Sequence, residues 1–380
     1  MILVLHNRYR TAGGEERAVE DLLWLLREHL GEEAEVMAHD SALLGRPRAA
    51  VALLRGGLDA DDVAAAVRRA GARVVHAHNL NPGFGWRGLA AARRAGARVV
   101  LHLHNYRLVC AVATCFTRDA ECTRCHGRNT LPGLMLNCRG TRAESAVYAA
   151  ALALWQRRVT AAAHAVVVPS RFARERLRAL AAPLGPRVAV VPHLVRSVAE
   201  SSSAATGSYA LVCSRLAPEK GVEVAIDACR RAGVALVVAG DGPAEEALRA
   251  LGARGGGEVR FAGRVEADGL AELRAGAGLA LVPSRSAETF GLAAAEAMAA
   301  GVPVLASAIG ALPELVDEDD LVAPGDPVAL AAAIPKRFGD AEAGERGLAR
   351  VHARAGPAVA AAAVRAVHEL AAAAPSADRP

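Results

Sequence analysis

Two carboxylates eight positions apart, Glu288 and Glu296, sit within PSRSAETFGLAAAEAMAAG at residues 283–301. Short apolar runs flank this stretch, Gly278 to Val282 before it and Val302 to Ala306 after it, which reads as strand, loop, helix, glycine stop and strand. A helix from about Phe290 to Ala300 carries Leu, Ala and Met on every face and Glu296 as its single charge, so burial all round is expected. A carboxylate buried there without a partner is costly, which predicts a fixed hydrogen-bonding role for Glu296, for example to ligand hydroxyls. The N–H groups of Phe290, Gly291 and Leu292 open that helix, where unpaired donors and the macrodipole favour an anion. The ligand these types and spacings suit is a phosphate flanked by polyols, with Glu288 taking hydroxyls on one side and Glu296 on the other.

Other candidates lie at strand ends. The strand YALVC feeds Ser214-Arg215-Leu216-Ala217-Pro218-Glu219-Lys220-Gly221, and an Arg with a Lys in such a loop can clamp a diphosphate. RVVHAH at 73–78 and RVVLHLH at 98–104 both end in histidines. Period two puts His76 and His78 on one face, and His102 and His104 together on another. Near the N-terminus, Ala12-Gly13-Gly14 reads as a turn between the strand Met1 to Leu5 and a helix over Glu15 to Leu30. It lacks the G-x-G-x-x-G of dinucleotide sites but lets backbone approach a ligand at a helix N-terminus. Five of the seven cysteines fall between Cys110 and Cys138, with Cys122-x-x-Cys125 at the centre and His126 adjacent. Tetrahedral thiolate zinc, free thiols and a redox disulfide all remain open for them.

The run SAETFGLAAAEAMAAGVPVLAS, followed by GALPELV, resembles the donor-site signature of the family-four retaining glycosyltransferases of the GT-B fold, which transfer sugars from UDP-, GDP- or ADP-sugars. The resemblance implies that Glu288 contacts sugar hydroxyls, that Glu296 holds the ribose, and that Arg215 and Lys220 neutralise the diphosphate. It further implies that the Gly13-Gly14 loop faces the donor phosphates and the acceptor. In LHLHNYRLVC it aligns His104, not His102, with the histidine beside the transferred sugar. Glu314, in GALPE, is expected as a structural partner, and His193 stands where the family commonly has Asn. Cys110, Cys122, Cys125 and Cys138 resemble a cysteine pattern of one branch of the family, which makes them the zinc-ligand set, with Cys115 and His126 as spare or substitute ligands. The loop they form would supply shape, not chemistry.

At 380 residues the chain suits two domains. Its 53% hydrophobic and 3% aromatic content predicts Ala, Val and Leu cores of helices on parallel sheets. The expected layout is an acceptor-side Rossmann-like domain over 1–196 with the Cys-rich insertion 110–138, a flexible linker over 197–208, and a nucleotide-sugar domain over 209–355. A C-terminal helix and tail over 356–380 completes it, crossing back to the first domain in the resembled fold. Two doubly wound α/β domains facing one cleft would make this GT-B. No secretion signal opens the chain, and Arg157 and Arg158 end the longest apolar run, so a cytoplasmic protein, with peripheral membrane contact left open, is expected. The formal charge of +5 divides into +11 for residues 1–195 and −6 for the rest. The basic half suits an anionic acceptor or a membrane surface, while the scarcity of aromatics argues against nucleic acid.

The function expected from these residues is transfer of a sugar from a nucleotide diphosphosugar, UDP-sugar before GDP-sugar, to a hydroxyl acceptor with retention. The acceptor is left as a glycan, a lipid-linked sugar or a small molecule. Because protein groups neutralise the diphosphate, no catalytic metal is expected, and any zinc would be structural. A nucleotide-sugar epimerase or hydrolase of the same fold, and a non-catalytic zinc-stapled scaffold, are the alternatives.

Overall fold

The computed structural model describes residues 1–8 and 13–374; Ala12 of the expected turn, and the tail beyond 374, lie outside them. The chain divides into two compact units. The first comprises Met1–Thr117, Cys122–Leu194 and the segment from Pro357 onward, and the second Val195–Gly356 with Arg118–Glu121.

The first unit is built on six parallel strands: β1 (Ile2–Arg8), β2 (Ala34–Asp40), β3 (Val74–Ala77), β4 (Arg98–His102), β5 (Ala165–Val168) and β6 (Val188–Val190). Their order is β2-β1-β3-β4-β5-β6. Alternation along each strand divides the side chains between two cores. Leu3, Leu5, Val75, Ala77, Val99 and Leu101 pack on one face. Ile2, Val4, Val74 and Val100 pack on the other, under Ala360, Val364, Val367 and Ala371 of the helix Pro357–Ala372. That helix is thus part of the first unit. The first helix is α-helical over Gly14–Trp24 and widens into a π-turn at Leu25–His29, closed by Leu30 N–H donating to Leu25 O at 3.1 Å.

The second unit is built on β7 (Tyr209–Cys213), β8 (Leu236–Ala239), β9 (Val259–Gly263), β10 (Ala277–Val282), β11 (Val304–Ser307) and β12 (Leu321–Val322), all parallel. Their order, β9-β8-β7-β10-β11-β12, reverses between β7 and β10. Loops after those two strands diverge to opposite faces of the sheet, which opens a crevice at their carboxyl ends. The Ser-rich run 197–208, expected as a flexible linker, is tied down. Ala199 N–H donates to Ala299 O at 2.7 Å, Ser202 N–H to the Glu345 carboxylate at 2.6 Å and Ser202 Oγ to Gly301 O at 2.5 Å. Small side chains here serve close packing, not freedom. Among the described residues no helix is long and apolar enough to cross a membrane.

Candidate functional site

At the β7/β10 switch point the two loops are laced together through Glu288. The loop after β7 passes through a 3-10 turn, Pro218–Lys220, into Gly221, whose φ of +65° puts a hypothetical Cβ 2.1 Å from Pro283 O. Only glycine permits that approach, and it carries Lys220 to the loop after β10. Lys220 Nζ donates to Glu288 Oε1 at 2.6 Å, and Ser284 Oγ donates to the same oxygen at 2.7 Å. Glu219 O accepts from Arg285 N–H at 2.9 Å. From the next loop, Ala311 N–H donates to Glu288 O at 2.9 Å, and Gly310, at φ +66°, leaves no room for a Cβ, which would stand 2.4 Å from Glu288 N. Burial would raise the Glu288 carboxyl, but the Lys220 ammonium and the Ser284 hydroxyl outweigh it and hold the group below the usual carboxylate range. Arg215, with its side chain 47% exposed, is ion-paired with Glu219. The two expected diphosphate cations are therefore neutralised by carboxylates of the loops themselves.

The helix after this loop spans Leu292–Ala299, with Gly291 at its N-cap. Its ladder starts at Ala295 N–H donating to Gly291 O, so the N–H groups ahead of the ladder are those of Leu292, Ala293 and Ala294. Phe290, expected in the first turn, is instead a core residue of the second unit. Nor is the helix buried all round. Leu292, Ala293, Glu296 and Ala300 form one partly exposed stripe, because positions three, four and eight apart share a helical face. Glu296 lies in that stripe, paired with Arg274 of the helix Ala267–Ala275. The Cys213 thiol beside this pair is pushed up to about 11, chiefly by burial, with Arg274 lowering it and Glu296 raising it.

His104 lies in the first unit, within a stack of histidines. The expectation that His102 and His104 occupy a different face from His76 and His78 is corrected by the register: Val74 pairs with Arg98 and Ala77 with Leu101, so His78 and His102 follow side by side. Their ring centroids are 5.2 Å apart; His104 stacks on His102 at 4.1 Å and on His193 at 5.1 Å. His78 Nδ1 and His104 Nε2 share a hydrogen bond of 2.7 Å. Burial, reinforced by mutual repulsion, holds His78, His102 and His104 well below the usual histidine value, so all three are neutral near pH 7. Beside them is a cavity of about 80 Å³ walled by Leu53, Trp86, Tyr148 and Trp155 and lined as well by His78, His102 and His104.

Residues 207–340 match the family described as Glycosyl transferases group 1, and residues 8–193 match the Glycosyl transferase 4-like domain. The chain belongs to the group 1 glycosyltransferases. Two solved structures show the same GT-B fold over nearly the whole chain. A sucrose-phosphate synthase from Thermosynechococcus elongatus has a TM-score of 0.69 at 19% identity, covering 98% of this chain and 100% of that one. HepE of Anabaena, solved in complex with UDP, has 0.62 at 18% identity, covering 97% and 100%. Curated relatives match over shorter stretches. A phosphatidyl-myo-inositol mannosyltransferase of Mycobacterium tuberculosis is 34% identical over 30% of this chain and 32% of its own length. An exopolysaccharide phosphotransferase of Streptomyces coelicolor is 34% identical over 46% of this chain and 20% of its own. The match thus spans a third or less of each relative.

As a group 1 glycosyltransferase the chain carries a cysteine loop whose five thiols do converge. Cys110, Cys115, Cys122, Cys125 and Cys138 all line one small cavity of the first unit. All seven cysteines are free thiols. Cys115 donates to Cys110, which brings the Cys110 thiol down to about 6 and raises that of Cys115; burial pushes Cys125 up to about 11. The sulfurs do not form a closed tetrahedron. Among the described residues, the sets with ligand atoms mutually within 4.8 Å consist of histidines, and the cysteines form none. The Gly13-Gly14 turn is likewise partly occupied, since Gly13 N–H donates to the Glu16 carboxylate at 2.8 Å.

Several partners were missed in the sequence. Ser284 and Glu219 lie inside the motifs and could have been named as their polar residues. Arg274, 22 residues upstream of Glu296 in a helix without a motif, carried no local signal.

Proposed function

We propose that this glycosyltransferase moves a sugar from a nucleotide diphosphosugar to a hydroxyl acceptor with retention of anomeric configuration. The observation that carries the reading is the Lys220–Glu288–Ser284 knot at the strand-order switch point, one helical N-terminus away from Glu296. Donor binding exchanges partners within it. The diphosphate takes Lys220 and Arg215 from Glu288 and Glu219 and rests against the helix opening at Gly291 and Leu292. The carboxylate released at Glu288, already ionised, then accepts from sugar hydroxyls, and Glu296 accepts from the ribose. Cationic groups and helix N–H donors stabilise the charge that develops on the departing diphosphate. A UDP-sugar is favoured by HepE, solved with UDP-glucose, while a GDP-mannose-dependent relative in Mycobacterium tuberculosis supports a GDP-sugar.

On this reading neither glutamate attacks the anomeric carbon. The departing diphosphate assists the incoming hydroxyl on the same face, and neutral His104 orients the sugar. The aromatic-walled cavity beside His104 receives the acceptor. The basic first half favours an anionic acceptor, such as a lipid-linked sugar at a membrane surface. Zinc in the cysteine loop remains part of the proposal as a structural group, one that needs the sulfurs of Cys110, Cys122, Cys125 and Cys138 to draw together. Thermal shift with UDP, GDP, ADP and TDP tests the donor site. Stabilisation by UDP or GDP above the others is expected, and indifference to all four overturns the reading.

A further inference from the structure

We propose that His76, His78 and His102 form a binding site for a first-row divalent cation of the zinc type, adjoining His104 but sharing no ligand with the proposed nucleotide-sugar site or with the cysteine loop. One ring nitrogen of each lies within 4.8 Å of one nitrogen of the other two. The three side chains are 1%, 3% and 8% exposed. Both nitrogens of His76, both of His102 and Nε2 of His78 are buried without a hydrogen-bond partner among the described residues. Buried polar atoms of that kind are normally satisfied, and one nitrogen from each of three rings drawing together calls for a ligand that accepts three lone pairs at once. An anion is unsuited to neutral rings, and one water offers only two protons. A cation that takes imidazole lone pairs uses one from each ring.

The donor chemistry narrows the ion. Three neutral imidazoles without carboxylate or thiolate suit zinc, cobalt, nickel or copper, and not calcium or magnesium, which take oxygen ligands. His78 is arranged as ligating histidines usually are. Its Nδ1 is hydrogen-bonded to His104 Nε2 at 2.7 Å, which fixes the ring and leaves Nε2 as its unpartnered nitrogen. His368, on the helix Pro357–Ala372, adds an unpartnered Nε2 and a ring centroid 5.7 Å from that of His76, so a fourth nitrogen is at hand. Metal–nitrogen distances of about 2.1 Å require the three nitrogens to close to roughly 3.4 Å from one another, a small ring movement. The period-two pattern built this site: the even-numbered positions that are Val74 and Val100 deeper in the sheet become His76, His78 and His102 toward its carboxyl edge.

Titration of the full-length chain with zinc and with cobalt tests the site, in a background where Cys110, Cys115, Cys122, Cys125 and Cys138 are all changed to Ser, which removes the competing thiolates of the cysteine loop. Expected are about one equivalent bound, a rise in thermal stability, and visible cobalt bands without sulfur-to-cobalt charge transfer in the near ultraviolet. His76→Gln and His102→Gln should each abolish binding, and His104→Ala should weaken it by about 10- to 100-fold, the usual effect of losing the partner of a ligand. UDP binding should be unchanged in the two Gln variants, so failure of this site is separable from failure of the donor site. A folded parent protein that shows no cobalt bands and no thermal shift overturns the proposal, as does binding that only thiolates support.

Discussion

Lys220 Nζ stands 2.6 Å from Glu288 Oε1, so two residues expected to contact different parts of one ligand are each other's hydrogen-bond partner. Ser284 completes the arrangement from the same oxygen. The pairing keeps a largely buried carboxylate ionised and fixes the lysine beside it. On the proposed function, a diphosphate would exchange one set of charge-assisted hydrogen bonds for another, which limits the desolvation cost of binding.

The two glutamates should separate by what they lose. Glu296→Ala is expected to weaken both free nucleotide and donor, and Glu288→Ala to leave free nucleotide affinity nearly intact while abolishing transfer, as read by calorimetry and product assay. Arg274→Ala should weaken nucleotide binding in the same direction as Glu296→Ala, by roughly tenfold or more, since loss of one hydrogen bond to a charged group is worth about 1.5–3 kcal/mol. Equal loss of nucleotide binding in the Glu288 and Glu296 variants would contradict these roles.

His104→Ala should slow transfer by roughly two to four orders of magnitude, the scale of a positioned polar catalytic group, with nucleotide affinity retained. Product analysis by NMR should show the donor's anomeric configuration. An inverted product, or a sugar ester trapped on Glu288, would rule out front-face displacement.

For the cysteine loop, Cys122→Ser should lower both metal content and thermal stability, and the metal lost should be the fraction whose cobalt form shows sulfur charge transfer. Five freely titrating thiols in metal-free, fully stable protein would sink zinc at this place and leave the loop held by its packing alone.

A pH effect is expected at His164. Its Nδ1 accepts from Val99 N–H at 2.9 Å while its own backbone N–H donates to Val99 O at 2.7 Å, clamping β4 to the start of β5. Burial, with Arg93, Arg98 and Arg187 nearby, lowers its value to about 4. The folded state thus favours the neutral ring, so this contribution is intact above pH 6.5 and is lost as the pH falls from 6.5 toward 4, at about 1.4 kcal/mol per unit. His164→Asn keeps an acceptor but cannot titrate. Denaturant unfolding should show the difference between the two proteins shifting across that window, and a constant difference would show that the ring does not titrate there.

The local layout around the two glutamates was largely legible because its parts are contiguous in sequence: a strand, a glycine-bearing loop and a helix put Glu288, Gly291 and Glu296 within one run. What could not be read was whatever depends on how separate strands or helices register. Period two paired His76 with His78 and His102 with His104, but only the Val74–Arg98 register shows that all four rings meet on one face. The burial expected of Glu296 missed its actual solution, because Arg274 reaches it from another helix. The Ser-rich run 197–208 looked flexible by composition, yet small side chains also allow backbone to lie close against Gly301 and Ala299.

The helix Pro357–Ala372 closes the core of the first unit, although all of Val195–Gly356 is made before it. During synthesis, then, the second unit has its complete sequence while the first still shows the apolar face of Ile2, Val4, Val74 and Val100 to solvent. The first unit can finish folding only after translation has passed through the whole of the second. The last stretch of chain made is thus the one that covers the first strands made.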